Sequence, residues 1–339
     1  MTTRTLDSAR IHDESIFIDA VSPLANSNTE LLDWWFEGGV TAVAPTVGGF
    51  AASGPTVANI GRWQHLIKKD PRLRLITSGA DLQVAKDDKK LGILFHFQGT
   101  SPVEDNLDLL SVYKRLGVGM IQLAYNVKNP VGDGCEERTD CGLSNFGVEL
   151  IRRMNEERIV VDCTHTGYRT TMEAIELSTA PVVFSHSNVK ALKSSPRNIT
   201  DDQIQAAAAT GGLVGVVGFP AFVSDSPRPT LDEYINHIDY IVNLVGVDHV
   251  GLGLDYFHGQ SGVSSDEAAK ESYAGLIESG RWRAEAYPPP PYWYPEGIET
   301  PRTFQKLTER LVERGYTEDE TKKIVGGNWV RVFTEVWGR

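Results

Sequence analysis

The stretch from Val160 to Asn188, VVDCTHTGYRTTMEAIELSTAPVVFSHSN, restricts the fold more than any other part of the chain. It reads as strand, helix, strand. Two β-branched runs, IVVDCT and PVVFS, each end on a histidine, His165 and His186. The piece between them, from about Thr170 to Leu177, is long enough for one parallel crossover. Two parallel strands joined by a right-handed crossover finish at the same sheet edge, so both imidazoles face one mouth. Two imidazoles at such an edge are the first ligands a divalent metal needs.

The same alternation runs through the chain. Strands are expected at 15–19, 41–45, 91–97 and 118–125, then the two of the opening stretch, then 211–219 and 249–255, with a short extra run at 72–77. Helices are expected at 28–37, 55–68, 105–116 and 146–157, and two more open on the capping boxes Thr200 to Gln203 and Thr230 to Glu233. Two helices close the chain, the second on the box Thr317 to Glu320. Eight strands, nearly all followed by a helix, predict an α/β fold of the (β/α)₈ TIM-barrel type. A doubly wound open sheet is the alternative, but its glycine-rich turn after the first strand is missing. Neither a linker nor a repeat divides residues 1–339, so one barrel domain is expected. Residues 256–300, with YPPPPYWYPEG at 287–297, read as a long ordered loop over the mouth or at a subunit contact.

In such a barrel the chemistry sits at the C-terminal strand ends. Here those are Asp19, Pro45, Gln98, Tyr125, His165, His186, Phe219 and Asp255. Asp255 is placed to accept a proton or bind metal. Arg197 precedes a helix and suits bidentate capture of a substrate carboxylate, the alternative being a surface pair with Asp201 or Asp202. His96 is a candidate barrel-lining residue, whereas His12, His65, His237 and His258 read as structural. With 33 basic against 45 acidic residues the net charge is −12, and there is no basic stripe, which excludes nucleic acid and anionic membranes as expected partners. A polar N-terminus, no long apolar run and three cysteines point to a cytoplasmic protein with Cys135 and Cys141 unpaired.

These residues resemble the membrane (renal) dipeptidase family from about Asp19 to Trp337. The matches include LGVGMIQLAYN (116–126), GLSNFGVELIRRMN (142–155), VVDCTH, PVVFSHS, RNITDD (197–202), GGLVGVVGFPAF (211–222) and IVGGNWVRVF (324–333). The resemblance implies a (β/α)₈ barrel, usually a homodimer, in which two zinc ions hydrolyse dipeptides and related amides. The chain departs from it at four positions of the mouth. The family's first strand ends in Asp-Gly-His-x-Asp, whose His and Asp bind the first zinc; this chain has Asp19-Ala20-Val21-Ser22-Pro23. The family's bridging glutamate is Gln98, and the histidine that polarises the scissile carbonyl is Tyr125. His165 and His186 of the second metal, the carboxylate-binding Arg197 and the proton-handling Asp255 remain.

One metal at most is therefore expected, on His165 and His186 with Gln98 as a third donor through its carbonyl oxygen. Zinc is the metal the resemblance implies; iron and manganese suit the same ligands, and Asp255 completing a two-histidine, one-carboxylate set is the alternative. The expected function is hydrolysis of an amide bond in a small carboxylated substrate, with Asp255 and Tyr125 catalytic. Two other readings remain: a non-peptidase metal-dependent reaction such as decarboxylation, isomerisation or elimination, and a non-catalytic relative that binds a ligand.

Overall fold

The structure, a computed structural model, describes residues 6–338. Ten short strands supply the wall: β1 (Ile18–Ser22), β2 (Ala42–Gly48), β3 (Leu73–Leu75), β4 (Leu91–Ile93), β5 (Phe95–Phe97), β6 (Val118–Gln122), β7 (Val160–Asp162), β8 (Val182–Val183), β9 (Val214–Val216) and β10 (Val250–Leu252). All ten pair in parallel. β4 and β5 act as one barrel strand: β4 pairs with the start of β2 (Ala42 with Gly92) and β5 with its end (Thr46 with His96). β3 is supernumerary and pairs only with β4. A parallel bridge from Phe184 to Val214 carries the wall from β8 to β9. The ring closes where Asp255 N–H donates to Val21 O (3.0 Å) and Leu254 N–H to Asp19 Oδ1 (3.1 Å). The result is the expected eight-strand barrel.

The first strand begins later than its sequence suggests. Residues 8–14 are helical and Ser15 caps that helix, so the strand is Ile18–Ser22. This shift takes Asp19 out of the mouth. It becomes a buried clasp between β1 and β10, and its second oxygen accepts from Trp35 Nε1 at 3.0 Å. Ser22 then caps a new helix, Pro23–Ser27, with Pro23 in its first turn, where a missing N–H costs nothing. The single helix expected at 28–37 is instead a 3₁₀ turn, Thr29–Leu31, and a short helix, Asp33–Glu37. The crossover of the opening stretch is a helix, Tyr168–Leu177, and all three capping boxes read from the sequence form.

The final helix, Asn328–Trp337, closes the base. Trp329, Phe333 and Trp337 pack with Ile18, Ala42 and Val160, the residues that begin β1, β2 and β7. Trp329 Nε1 donates to Leu252 O (3.0 Å) and Trp337 Nε1 to Gly119 O (2.9 Å). A Cβ on Gly119 would lie 2.5 Å from the Trp337 ring, and one on Gly251 2.6 Å from Trp329. Only glycine lets the indoles approach the strands this closely.

Residues 256–300 are more regular than a loop. They contain a helix, Asp266–Glu278, whose cap is Ser265 accepting from Ala268 N–H; with alanine at that position there is no capping box to read. Beyond it Trp282, Tyr287, Tyr292 and Tyr294 gather around Phe219, with Trp282 stacked on Tyr287 at 4.3 Å. All four are buried. No helix among the described residues is long and apolar enough to cross a membrane.

Candidate metal centre and substrate mouth

His165 and His186 lie three residues beyond the ends of β7 and β8. Their Nε2 atoms are 3.0 Å apart, and both side chains are buried. What each Nδ1 touches decides what Nε2 can do. Asn126 uses its amide nitrogen on Arg281 O (2.9 Å), which turns its Oδ1 toward His165 Nδ1 at 2.6 Å; that nitrogen must donate. Ser185 Oγ donates to Asp162 Oδ2 and so accepts from His186 Nδ1 at 2.8 Å. Burial, reinforced by Arg197, holds both imidazoles well below the ordinary histidine range. Both are neutral near pH 7, with the proton on Nδ1. Two bare Nε2 lone pairs therefore meet across 3.0 Å. Ligands about 2 Å from one cation and at right angles are about 3 Å apart, so the pair suits adjacent positions on a single ion.

Asp162 anchors this arrangement from within the barrel. It accepts from Thr164 N–H (2.9 Å) and Ser185 N–H (3.0 Å), and His96 Nε2 stands 3.3 Å from its Oδ2. Burial pushes its carboxyl up, but His96 and Ser185 outweigh this and hold it at about 2. His96 does line the interior, as the alternation along its strand suggests.

Arg197 is 2% exposed and pairs with neither Asp201 nor Asp202. Its Nη2 donates to His186 O (3.3 Å), its Nε donates to the Tyr287 hydroxyl (3.1 Å), and Phe222 stacks beneath it. Nη1 is buried with no partner. Tyr125 stacks on His165 at 4.0 Å between ring centres, and its oxygen accepts from Trp282 Nε1 at 2.8 Å. Burial pushes this phenol above its ordinary value, so it remains a hydrogen-bond donor. A cavity of about 480 Å³ adjoins the site, lined by His165, Arg197, Cys135, Cys163 and Thr166 among others. Cys135, Cys141 and Cys163 are free thiols.

Gln98 and Asp255 form a separate pair. Gln98 Nε2 donates to Asp255 Oδ1 at 3.2 Å, which leaves the Gln98 carbonyl oxygen out of that bond. Burial raises the Asp255 carboxyl to about 7, against the pull of Arg197 and Gln98. Val21 is buried in the core and Pro23 opens a helix, so neither offers a side-chain ligand to the mouth. Among the described residues no three His, Cys, Asp or Glu side chains converge as a metal-binding group.

Five contributors escape a reading of strand ends: Asn126, Asp162, Ser185, Trp282 and Tyr287. Ser185 precedes His186 and was the easiest to find, because a metal-binding imidazole needs an acceptor at its other nitrogen. Asn126 lies one residue past the strand end expected at Tyr125 and four past the observed end of β6. Trp282 and Tyr287 arrive from far along the chain, and no local pattern announces them. The structural histidines behave as such: His12 contacts Thr308 Oγ1 and Gly38 O, and His237 links Val189 N–H to Val223 O.

Comparison with known proteins agrees with this architecture. The family model for membrane dipeptidase (Peptidase family M19) matches residues 28–279 and 292–337. An uncharacterized dipeptidase of Schizosaccharomyces pombe is 35% identical over 255 residues, 73% of this chain and 54% of that protein, so the chain spans about half the length of that relative. An uncharacterized protein from the pqqA 5′ region of Klebsiella pneumoniae is 29% identical over 78% of this chain and 90% of its own. The crystal structure of an amidohydrolase from Pseudomonas aeruginosa shares 36% identity, covering 98% of this chain and all of that one, with a TM-score of 0.86. A probable dipeptidase of the same organism, at 19% identity and a TM-score of 0.81, has the same fold. With the family model covering both histidines, the arginine and the closing helix, the chain belongs to the membrane dipeptidase family, Peptidase family M19, and stands among metal-dependent hydrolases.

Proposed function

We propose that this chain is a hydrolase that uses a single metal ion to cleave an amide bond in a small carboxylated substrate. The observation that carries the proposal is the pair of bare Nε2 atoms 3.0 Å apart, with Val21 and Pro23 where a second ion would need ligands. His165 and His186 hold the metal, and the Gln98 carbonyl oxygen is available as a neutral third donor. A bound zinc would lower the pKa of its water to about 7 and polarise the amide carbonyl. The other roles belong to the chain. Arg197 takes the substrate carboxylate on its unpartnered Nη1. Tyr125 donates to the carbonyl oxygen as negative charge develops there, since its own oxygen is already occupied by Trp282. Asp255, near neutral pKa, takes the proton of the attacking water and returns it to the leaving nitrogen. Gln98 keeps the carboxylate of Asp255 turned to this task.

A second reading is a proton-transfer reaction on the same barrel, favoured by Asp255 and Tyr125 lying within electrostatic reach of each other. Homodimer assembly is part of the proposal, and light scattering checks it. The reaction is tested by offering zinc-loaded protein a panel of dipeptides and N-acyl amino acids beside the same compounds with the carboxylate capped as an amide. Cleavage of the free acids and not the capped forms is expected. No turnover of any member would overturn the hydrolytic reading.

A further inference from the structure

Beside the Arg197 site the chain buries a carboxylate that the reaction above does not use. Glu136 is 4% exposed, and neither of its side-chain oxygens has a hydrogen-bond partner. Its backbone is knit into the centre: Glu136 N–H donates to Asn126 O (2.7 Å), and Cys135 N–H donates to His165 O (2.8 Å). These bonds fix its backbone beside His165. Burial pushes this carboxyl up to about 7 against the pull of Arg197 and Arg283, and Tyr125 and Tyr287 lie within its electrostatic reach. It borders a cavity of about 370 Å³, which shares Cys135 and Pro196 with the larger cavity beside Arg197. That is the size of a small-ligand pocket.

A carboxylate seldom stays buried without a partner, because the desolvation it suffers must be balanced by an opposite charge or by donors. Here the carboxylate and Arg197 Nη1 are both buried and both unpartnered, near each other but not in contact. The cavity's lining also favours a cation. Glu136, Glu137 and Glu285 face one arginine, the exposed Arg283. Arg283 and Glu285 come from residues 280–291, the segment outside both stretches matched by the family model.

We propose that Glu136 forms a second substrate subsite, which binds a positively charged group on the carboxylate-bearing half of the substrate. The substrate class is then an amide of a basic amino acid: Arg197 receives the carboxylate, and Glu136 receives a side-chain ammonium. This rests on the hydrolytic reading for the role of Arg197.

The test compares zinc-loaded full-length protein with L-lysine and L-norleucine, which differ in the ammonium group, by isothermal titration. Their Nα-acetyl forms are compared in the same way by kcat/KM. Lysine is expected to bind at least about 10-fold more tightly than norleucine, the worth of one charge-assisted contact. In E136Q that ratio should fall toward one. The wild-type comparison needs no variant, so a misfolded E136Q does not remove the test. Equal affinity for the two ligands in the wild type overturns the subsite and leaves the Arg197 reading standing. A lysine preference that persists in folded E136Q overturns the role of Glu136. No binding of either ligand overturns both.

Discussion

Three residues of the candidate site hold a backbone conformation that non-glycine residues seldom adopt. Asn126 (φ 56°), His165 (φ 65°) and Asp255 (φ 56°) are left-handed, three of six such residues among those described. Each stands just past a strand end, where the turn aims its side chain back into the mouth. Such strain persists only where surrounding contacts hold it, and here they do: Asn126 grips both His165 and the Arg281 carbonyl, and Gln98 grips Asp255. The same logic makes Ser185 a positioning residue. It passes the negative charge of Asp162 to His186 Nδ1 and so leaves Nε2 bare. S185A is expected to weaken zinc binding by about 10- to 100-fold, measured by titration against a competing chelator. An unchanged affinity would show that the tautomer is set some other way.

At the scale of elements, residues 281–287 pack directly on the side chains of the site. Trp282 reaches Tyr125, Tyr287 reaches Arg197 and Asn126, and Arg281 stacks over Phe50, which itself meets Tyr125 edge-on at 4.7 Å. The W282F variant removes one hydrogen bond worth about 1 kcal/mol and keeps most of the ring packing. Amide exchange across 280–287 should quicken while the barrel strands exchange as before. Uniform quickening across both would mean that the cover and the barrel open as one unit.

The strands, the crossover and the three capping boxes were legible because each is written in a short run: β-branched residues, or Thr with Glu or Gln three residues on. The meeting of the two histidines was legible for the same reason, whereas Arg197 was read from its place before a helix and from the family resemblance. Asp19 was misplaced, since nothing in SIFID marks where the strand starts; the helix ahead of it, ended by Ser15, decides that. The cover's contacts were not legible, because they join residues 90 or more positions apart.

At the scale of the whole molecule, the barrel's acid stability depends on the buried Asp162. Its carboxyl is held at about 2, below the unfolded value near 3.8, so it stabilises the fold above pH 4 and the benefit is lost as pH falls toward 2. The shift corresponds to about 2 kcal/mol. Urea midpoints measured from pH 6 to pH 2 should fall across that window, and D162N, weaker throughout, should show a shallower fall. Equal slopes would place the acid-sensitive group elsewhere.

We propose that this member of the membrane dipeptidase family holds a single ion, because the His165 and His186 Nε2 atoms meet at 3.0 Å while Val21 and Pro23 offer no side-chain ligand. The decisive measurement is metal per chain, by elemental analysis of protein purified without chelator and dialysed against trace zinc. The account predicts about one ion per chain, with H165A and H186A each bringing it close to zero. About two ions per chain, or one ion retained after both histidines are removed, would contradict it.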